Sequence, residues 1–179
     1  MFTAESGDDT VARLRADAPN SSARWPSNSS EAVLSGALRE QRLRQQCENP
    51  RYGMRGTVLL LESDRSFLVD VDLLRTNELI VYHCHERATA MKQLQHVAPD
   101  VVVAVLSGQD SPSIVPGLRG LADYATSIIV ASVPEEREAA RKAGADAFLL
   151  SSGPPADLLY EIRRALILRR SGRRLPWNW

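Results

Sequence analysis

The chain has 179 residues and a mass of 19.8 kDa, with 44% hydrophobic residues, which fits one globular domain. Basic and acidic residues number 22 each, so the formal charge is zero and no overall field favours nucleic acid or an anionic membrane. There is no apolar signal segment or spanning run, and two cysteines are too few for a disulfide framework. We therefore expect a cytoplasmic protein that has neither a membrane nor nucleic acid as its partner.

The first 55 residues differ in composition from the rest. Five serines and a proline occur in SSARWPSNSS, residues 21–30, and such a stretch buries too little apolar area to offset its ordering entropy. We expect residues 1–29 to be mostly disordered. From Ser30, good helix formers with leucines at helical spacing predict a helix that ends before Asn49-Pro50 and forms when it docks.

Residues 56–170 alternate between short apolar runs and helical patterns. The runs are TVLLL, LIVYHC, DVVVAVL, SIIVA and DAFLL, and apolar runs of this kind are typical of strands buried on both faces of a parallel sheet. The helical patterns cover residues 65–75, 85–97, 117–124, 134–144 (with Gly144 as a helix stop) and 155–170. This order predicts a doubly wound α/β domain with a five-stranded parallel sheet, followed by a basic and aromatic tail at 171–179.

In this order the segments resemble the receiver domain of bacterial two-component response regulators. The resemblance covers residues 56–170 and depends on VLLLESD, APDVVVAVL, SIIVASV and AGADAFLLSS. It implies a flavodoxin-like fold and a phosphorylation site at the carboxyl ends of the strands. That site consists of two acidic residues that hold Mg²⁺, an aspartate nucleophile, a hydroxyl residue and a lysine.

The residues at those positions depart from the receiver pattern. The nucleophile position is a valine, which has no oxygen to accept a phosphoryl group, and the lysine position is a serine. Only one residue of the acidic pair is acidic, although an aspartate follows it. The residues at or beside the five positions are Glu62, Ser63, Asp64, Val105, Ser132 and Ser151. We therefore interpret the domain as a pseudo-receiver, and we expect no enzymatic activity and no cofactor.

The last helical pattern contains a candidate partner surface. Its leucine-rich stripe is expected to pack on the sheet, and a second stripe lies at i, i+3, i+4 and i+7. Tyrosine, arginine and isoleucine are typical of interface anchors, and receivers use this region for partner and dimer contacts. The stripe consists of Tyr160, Arg163, Arg164 and Ile167. The expected function is a phosphorylation-independent interaction module in signal transduction or transcriptional regulation, with a protein partner and with a homodimer through this helix as a further expectation.

Two other features bear on function. In the alternative hypothesis, the strand-end crevice is a sensor site for a small anionic ligand, because SSGPP (151–155) leads into a helix amino terminus. The sequence leaves this alternative open. His83 and His85 share one face of a predicted strand while Cys84 points to the other, and no third ligand is visible, so we predict no metal site. Trp177 and Trp179 of the tail are expected to dock on this domain or on a partner.

Overall fold

A computed structural model describes residues 29–48, 55–63, 69–106 and 111–175 of the chain. The predicted disorder of residues 1–29 lies outside the described residues except at Ser29, which begins a helix, and the expected docking of Trp177 and Trp179 lies outside them as well. Contacts group residues 39–179 into one compact unit and residues 1–38 into another.

Five parallel strands form one sheet in the order β2-β1-β3-β4-β5, which confirms the predicted doubly wound fold. The strands are β1 (Gly56–Glu62), β2 (Leu79–Cys84), β3 (Val101–Val105), β4 (Ser127–Ser132) and β5 (Ala147–Leu150). Every residue of β3 and β4 is buried, as their continuous apolar sequences predict. Strand β2 lies at the edge of the sheet and exposes Ile80 and Tyr82.

Six helices are described: α1 (Ser29–Glu48), α2 (Val71–Thr76), α3 (Arg87–Val97), α4 (Ser111–Leu121), α5 (Arg137–Lys142) and α6 (Pro155–Arg170). A 3-10 helix, Pro134–Glu136, leads into α5. The helix predicted from Ser30 is α1, and α6 has the predicted bounds. Helix α5 ends at the predicted stop, since Gly144 has φ +96°, a conformation that favours glycine. None of these helices is long and apolar enough to cross a membrane.

Helix α4 begins six residues earlier than predicted and ends at Leu121 rather than Tyr124. The helix includes Ser-Pro-Ser at residues 111–113, because proline is tolerated in a first helical turn, where its missing N–H has no partner to lose. The earlier start allows Ile114, Val115 and Leu118 to be buried against the sheet. For α2, the predicted start at Arg65 lies outside the described residues, and the described helix begins after Asp70, whose carboxylate accepts from the Leu73 N–H at 2.8 Å.

Apolar side chains cover both faces of the sheet. Leu60, Val103 and Ile162 belong to a cluster on the side of α2 and α6, while Leu61, Val102 and Leu118 belong to a cluster on the side of α3, α4 and α5. Alternation along β1 therefore directs Leu60 to one face and Leu61 to the other.

Two carboxylates fix the strands near their amino ends. Asp100 accepts from the Thr57 N–H at 2.8 Å and forms an ion pair with Arg169 at 3.2 Å. Asp146 accepts from the Ile128 N–H at 2.8 Å and forms a close ion pair with Arg119. These groups support the sheet at the edge opposite to the predicted functional site.

Candidate functional site

The carboxyl ends of the strands bring the predicted receiver-site positions to one edge of the sheet. The register pairs Glu62 with Val105, and Val105 with Ala131, the residue before Ser132. The Ser151 N–H donates to the Ser132 carbonyl at 2.9 Å, which brings β5 to the same edge. Asp64 lies outside the described residues. Open α/β sheets bind ligands at this edge, so its side chains decide which chemistry is available.

Val105, the last residue of β3, is 1% exposed. Its carbonyl accepts from the Ser63 N–H at 3.1 Å and lies 3.2 Å from the Ser63 hydroxyl. The isopropyl side chain belongs to the cluster on the α2 and α6 side. Nothing in this side chain can accept a phosphoryl group, and its burial makes it part of the core.

Glu62 ends β1 with a buried carboxylate. Its Oε2 lies 2.8 Å from Nε2 of His83, whereas its Oε1 is buried and has no hydrogen-bond partner in the described part of the chain. The neighbouring Ser63 contributes a hydroxyl where the resemblance implies a second acid. Magnesium takes oxygen ligands and is usually held by carboxylates and water. The described residues therefore do not fit the magnesium site that the resemblance implies.

Ser132 retains the predicted hydroxyl, but the hydroxyl is fully buried. Its oxygen lies 2.8 Å from the Leu106 carbonyl and 2.5 Å from Oε2 of Glu136. A hydroxyl has one proton to donate, and both neighbours accept. Ser132 is therefore engaged in joining the ends of β3 and β4 to the turn before α5.

Histidines of β2 complete the arrangement around Glu62. The register places His83 opposite Leu60 and Cys84 opposite Leu61. His85 follows, with its Nδ1 3.4 Å from the Glu62 carbonyl oxygen. The prediction of no metal site depended on the lack of a third ligand, and the structure supplies a carboxylate next to both rings. The pairing of two parallel strands at their carboxyl ends was the signal that could have found it.

The predicted partner stripe on α6 contacts the carboxyl half of α1. Arg163 donates to the Cys47 carbonyl at 2.7 Å and to Oδ1 of Asn77 at 2.6 Å. Arg164 is 1% exposed and lies 3.9 Å from a carboxylate oxygen of Glu40. Both arginines are thus engaged within the chain. The expected solvent-facing stripe is shortened, because α1 covers part of it.

Burial dominates the titration of two groups at this contact. It raises the pKa of the Cys47 thiol from 9.0 to about 11, against the opposing effect of Arg163 and Arg164. Burial also raises the pKa of Tyr160, whose hydroxyl is buried without a hydrogen-bond partner in the described part of the chain. Ile167 is half-buried and packs on the core cluster of the α2 and α6 side. Arg164 of the stripe is therefore buried within the chain, whereas Tyr160, Arg163 and Ile167 remain partly exposed.

The sequence did not point to a groove at the amino end of α6. It has a volume of about 280 Å³. The Arg137 guanidinium lies 5.6 Å from the Phe148 ring centroid, and its Nε is buried without a hydrogen-bond partner in the described part of the chain. Leu150 is 42% exposed at the same place. The lining residues are Ala131, Arg137, Phe148, Leu149, Leu150, Gly153, Pro154, Asp157 and Leu158.

The amino terminus of α6 offers little for the expected anionic ligand. Pro154 and Pro155 have no N–H, and the Asp157 N–H donates to the Pro154 carbonyl at 3.0 Å. The carboxylate of Asp157 also stands in the first turn, where an anion would have to bind. These features argue against an anion site at this helix end.

No family model and no curated protein matches the sequence significantly, but solved structures match the fold. A receiver domain protein (CheY-like) from Methanospirillum hungatei JF-1 aligns with a TM-score of 0.57 at 16% identity, covering 65% of this chain and 97% of that chain. The BeF₃-activated DrrB receiver domain aligns with a TM-score of 0.54 at 19% identity, covering 64% and 99%. The Vibrio cholerae chemotaxis protein CheY4 aligns with a TM-score of 0.53 at 18% identity, covering 62% and 98%. The chain therefore contains the complete fold of a response-regulator receiver domain.

Proposed function

We propose that this protein is a phosphorylation-independent receiver-like module that acts in signal transduction or transcriptional regulation by binding a protein partner. The observation that carries the proposal is Val105, a buried valine at the position where the resemblance implies the aspartate nucleophile. An aspartyl phosphate cannot form on a side chain without a carboxylate.

The neighbouring positions support the same conclusion. Ser151 stands at the lysine position, and the two lysines of the chain lie elsewhere, Lys92 on α3 and Lys142 on α5. Lys142 is exposed and lies 4.0 Å from Glu138 on the same helix. The lysine that would balance the charge of a phosphoryl group is therefore absent from the described strand ends.

The groove at the amino end of α6 is the best candidate for the partner surface. Arg163 and Arg164 of the predicted stripe are engaged with α1, whereas the groove combines exposed Leu150 with the Phe148 ring and a buried Arg137 Nε that lacks a partner among the described residues. Such a surface suits a partner segment that inserts an apolar side chain and presents an oxygen acceptor to Arg137.

Affinity capture from native lysate tests this function with a matched pair of variants. Leu150→Asp places a charge in the groove, and Leu121→Asp places the same charge on a leucine of similar exposure, 39% against 42%, at the end of α4. We expect one partner that wild type and Leu121→Asp retain and that Leu150→Asp loses by at least ~10-fold. The same partner should be captured with and without acetyl phosphate.

Three results would contradict the proposal. The partner could bind Leu150→Asp as well as wild type, both variants could lose it equally, or capture could require acetyl phosphate. The first two would remove the groove as the contact surface, and the third would remove phosphorylation independence.

A further inference from the structure

Three side chains with metal-ligating atoms meet where β1 and β2 end. Glu62 closes β1, and His83 and His85 come from one face at the end of β2. One ligand atom from each residue lies within 4.8 Å of the other two. The two imidazole ring centroids are 4.3 Å apart. Sequence-distant residues are thus brought together by the parallel pairing of the two strands.

The burial of Glu62 indicates that this cluster is incomplete without a ligand. Its side chain is 4% exposed, and its Oε1 has no hydrogen-bond partner in the described part of the chain. A buried carboxylate oxygen without a donor or a cation is unfavourable in a protein, because its lost hydration is not replaced. His83 contacts only the other oxygen, Oε2. A cation placed between Glu62 and the histidines would satisfy the carboxylate.

The ligand types define the class of cation. Imidazole nitrogens suit zinc, copper, iron and nickel, whereas magnesium prefers oxygen. Two histidines with one glutamate form a set that binds zinc with a fourth position open to water or another ligand. We propose that Glu62, His83 and His85 bind a divalent transition-metal ion of the zinc type, with the open position facing solvent. The side chain of His83 is 25% exposed and His85 is exposed, so an ion can reach the site.

Small side-chain movements would complete the coordination. Ligand atoms on one tetrahedral ion are about 3.4 Å apart when each bond is about 2.1 Å long. The distance between His83 Nε2 and Glu62 Oε2, now 2.8 Å, would have to increase slightly. Any ligand atoms farther apart than about 3.4 Å, up to 4.8 Å, would have to move closer together. His83 is on an edge strand and His85 follows the end of that strand, so no further strand restricts them.

The main chain of Glu62 contributes to orienting His85. The Nδ1 atom of His85 lies 3.4 Å from the Glu62 carbonyl oxygen. When Nδ1 donates to this carbonyl, Nε2 carries the lone pair that a metal needs, an arrangement common among metal-binding histidines. Cys84 is 5% exposed and belongs to the core cluster on the opposite face, so it is not part of this ligand set.

Metal titration of the full chain, stripped of metal beforehand, tests the proposal. Calorimetry with Zn²⁺ should give one ion per chain, and Co²⁺ should give the visible absorption of a four-coordinate site. Glu62→Gln, His83→Gln and His85→Gln should each weaken Zn²⁺ binding by at least ~10- to 100-fold. His96→Gln is the matched control, because His96 is the third histidine of the chain and lies in the last turn of α3. It should bind Zn²⁺ like wild type.

Circular dichroism shows whether each variant folds. If Glu62→Gln does not fold, His83→Gln and His85→Gln still test the site, because both change exposed side chains. Stoichiometric Zn²⁺ binding that survives in folded His83→Gln and His85→Gln would overturn the proposal, as would its absence in wild type. Equal loss in His96→Gln, or a cobalt-thiolate band in the near ultraviolet, would place the ion elsewhere. Equally tight Mg²⁺ binding would overturn the proposed class of cation.

Discussion

Two side chains at the carboxyl edge of the sheet contribute to packing and hydrogen bonding where the resemblance implies phosphorylation chemistry. Val105 ends β3 in a position where the fold accepts a buried apolar group, and the Ser132 hydroxyl lies between two acceptors, the Leu106 carbonyl and the Glu136 carboxylate. Each residue therefore contributes to stability and neither is available to a phosphoryl group. The sequence predicted where both residues stand, since their positions follow from the strand pattern. It did not predict the partners of Ser132, because a sequence pattern does not show which side chains Glu136, in the 3-10 helix before α5, will contact.

We expect Val105→Asp to destabilise the protein instead of restoring a phosphorylation site. A carboxylate at a position that is 1% exposed loses its hydration, so the free energy of unfolding should fall by about 2–4 kcal/mol. Urea unfolding followed by circular dichroism measures this change. Val133→Asp is the control, because Val133 is 40% exposed and should change stability by no more than about 0.5 kcal/mol. A Val105→Asp protein as stable as wild type would show that the strand end can host an acid.

Asp146 should be important for stability at the opposite edge of the sheet. It accepts from the Ile128 N–H at 2.8 Å and forms an ion pair with Arg119. Asp146→Ala leaves both donors without this acceptor, so we expect a loss of about 2–3 kcal/mol in the free energy of unfolding. Asp123→Ala changes an exposed aspartate and should have little effect. Equal urea midpoints for the two variants would contradict this role.

At the scale of elements, the strands and α6 could be predicted and the docking of α1 could not. Strands that are buried on both faces have continuous apolar sequences, and the apolar runs located all five strands, including the edge strand β2 at Leu79–Cys84. The carboxyl half of α1 is held by main-chain and ionic contacts, such as Arg163 with the Cys47 carbonyl, for which the sequence has no periodic signal. The cluster of Glu62 with His83 and His85 was missed for a related reason: its members come from different strands.

Removal of the Arg163 side chain should loosen α1 from α6. Arg163→Ala removes one hydrogen bond between α6 and α1, to the Cys47 carbonyl, and a second one to Asn77 at the end of α2. We expect Cys47, which is 2% exposed, to react with iodoacetamide ~3- to 10-fold faster in the variant, while Cys84 is unchanged. Peptide mass spectrometry distinguishes the two thiols. Arg170→Ala, which removes an exposed arginine of the same helix, should leave the Cys47 rate as in wild type.

The buried Cys47 thiol should also make stability fall at alkaline pH. Its pKa is raised from 9.0 to about 11 in the folded chain, so the folded state favours the neutral thiol. This contribution is complete below pH 9 and is lost as the pH rises from about 9 to about 11, by about 2 kcal/mol. Cys47→Ser has no thiol to ionise. The difference in the free energy of unfolding between wild type and Cys47→Ser should therefore change across this pH range, and a constant difference would contradict burial of the thiol.

At the scale of the whole molecule, the fold and the chemistry of receivers depend on different residues. Apolar residues on both faces of the sheet build the fold, and they suffice for alignment over 97% of the Methanospirillum hungatei receiver at only 16% identity. The residues that would carry phosphoryl transfer stand at strand ends, where substitution leaves the packing intact. For this reason the architecture could be predicted from the sequence pattern. The groove at the amino end of α6 could not, because it depends on how β5, α5 and α6 pack together.

The most direct test of the account is intact-mass spectrometry after incubation with acetyl phosphate and Mg²⁺, under conditions that preserve acyl phosphates. A phosphorylatable receiver in the same tube shows that the reagent is active. We expect the receiver to gain a phosphoryl group and this protein to gain none, because Val105 occupies the acceptor position and no lysine stands at the described strand ends. A stoichiometric adduct on Glu62, which ends β1, or on Asp64 would contradict the central claim.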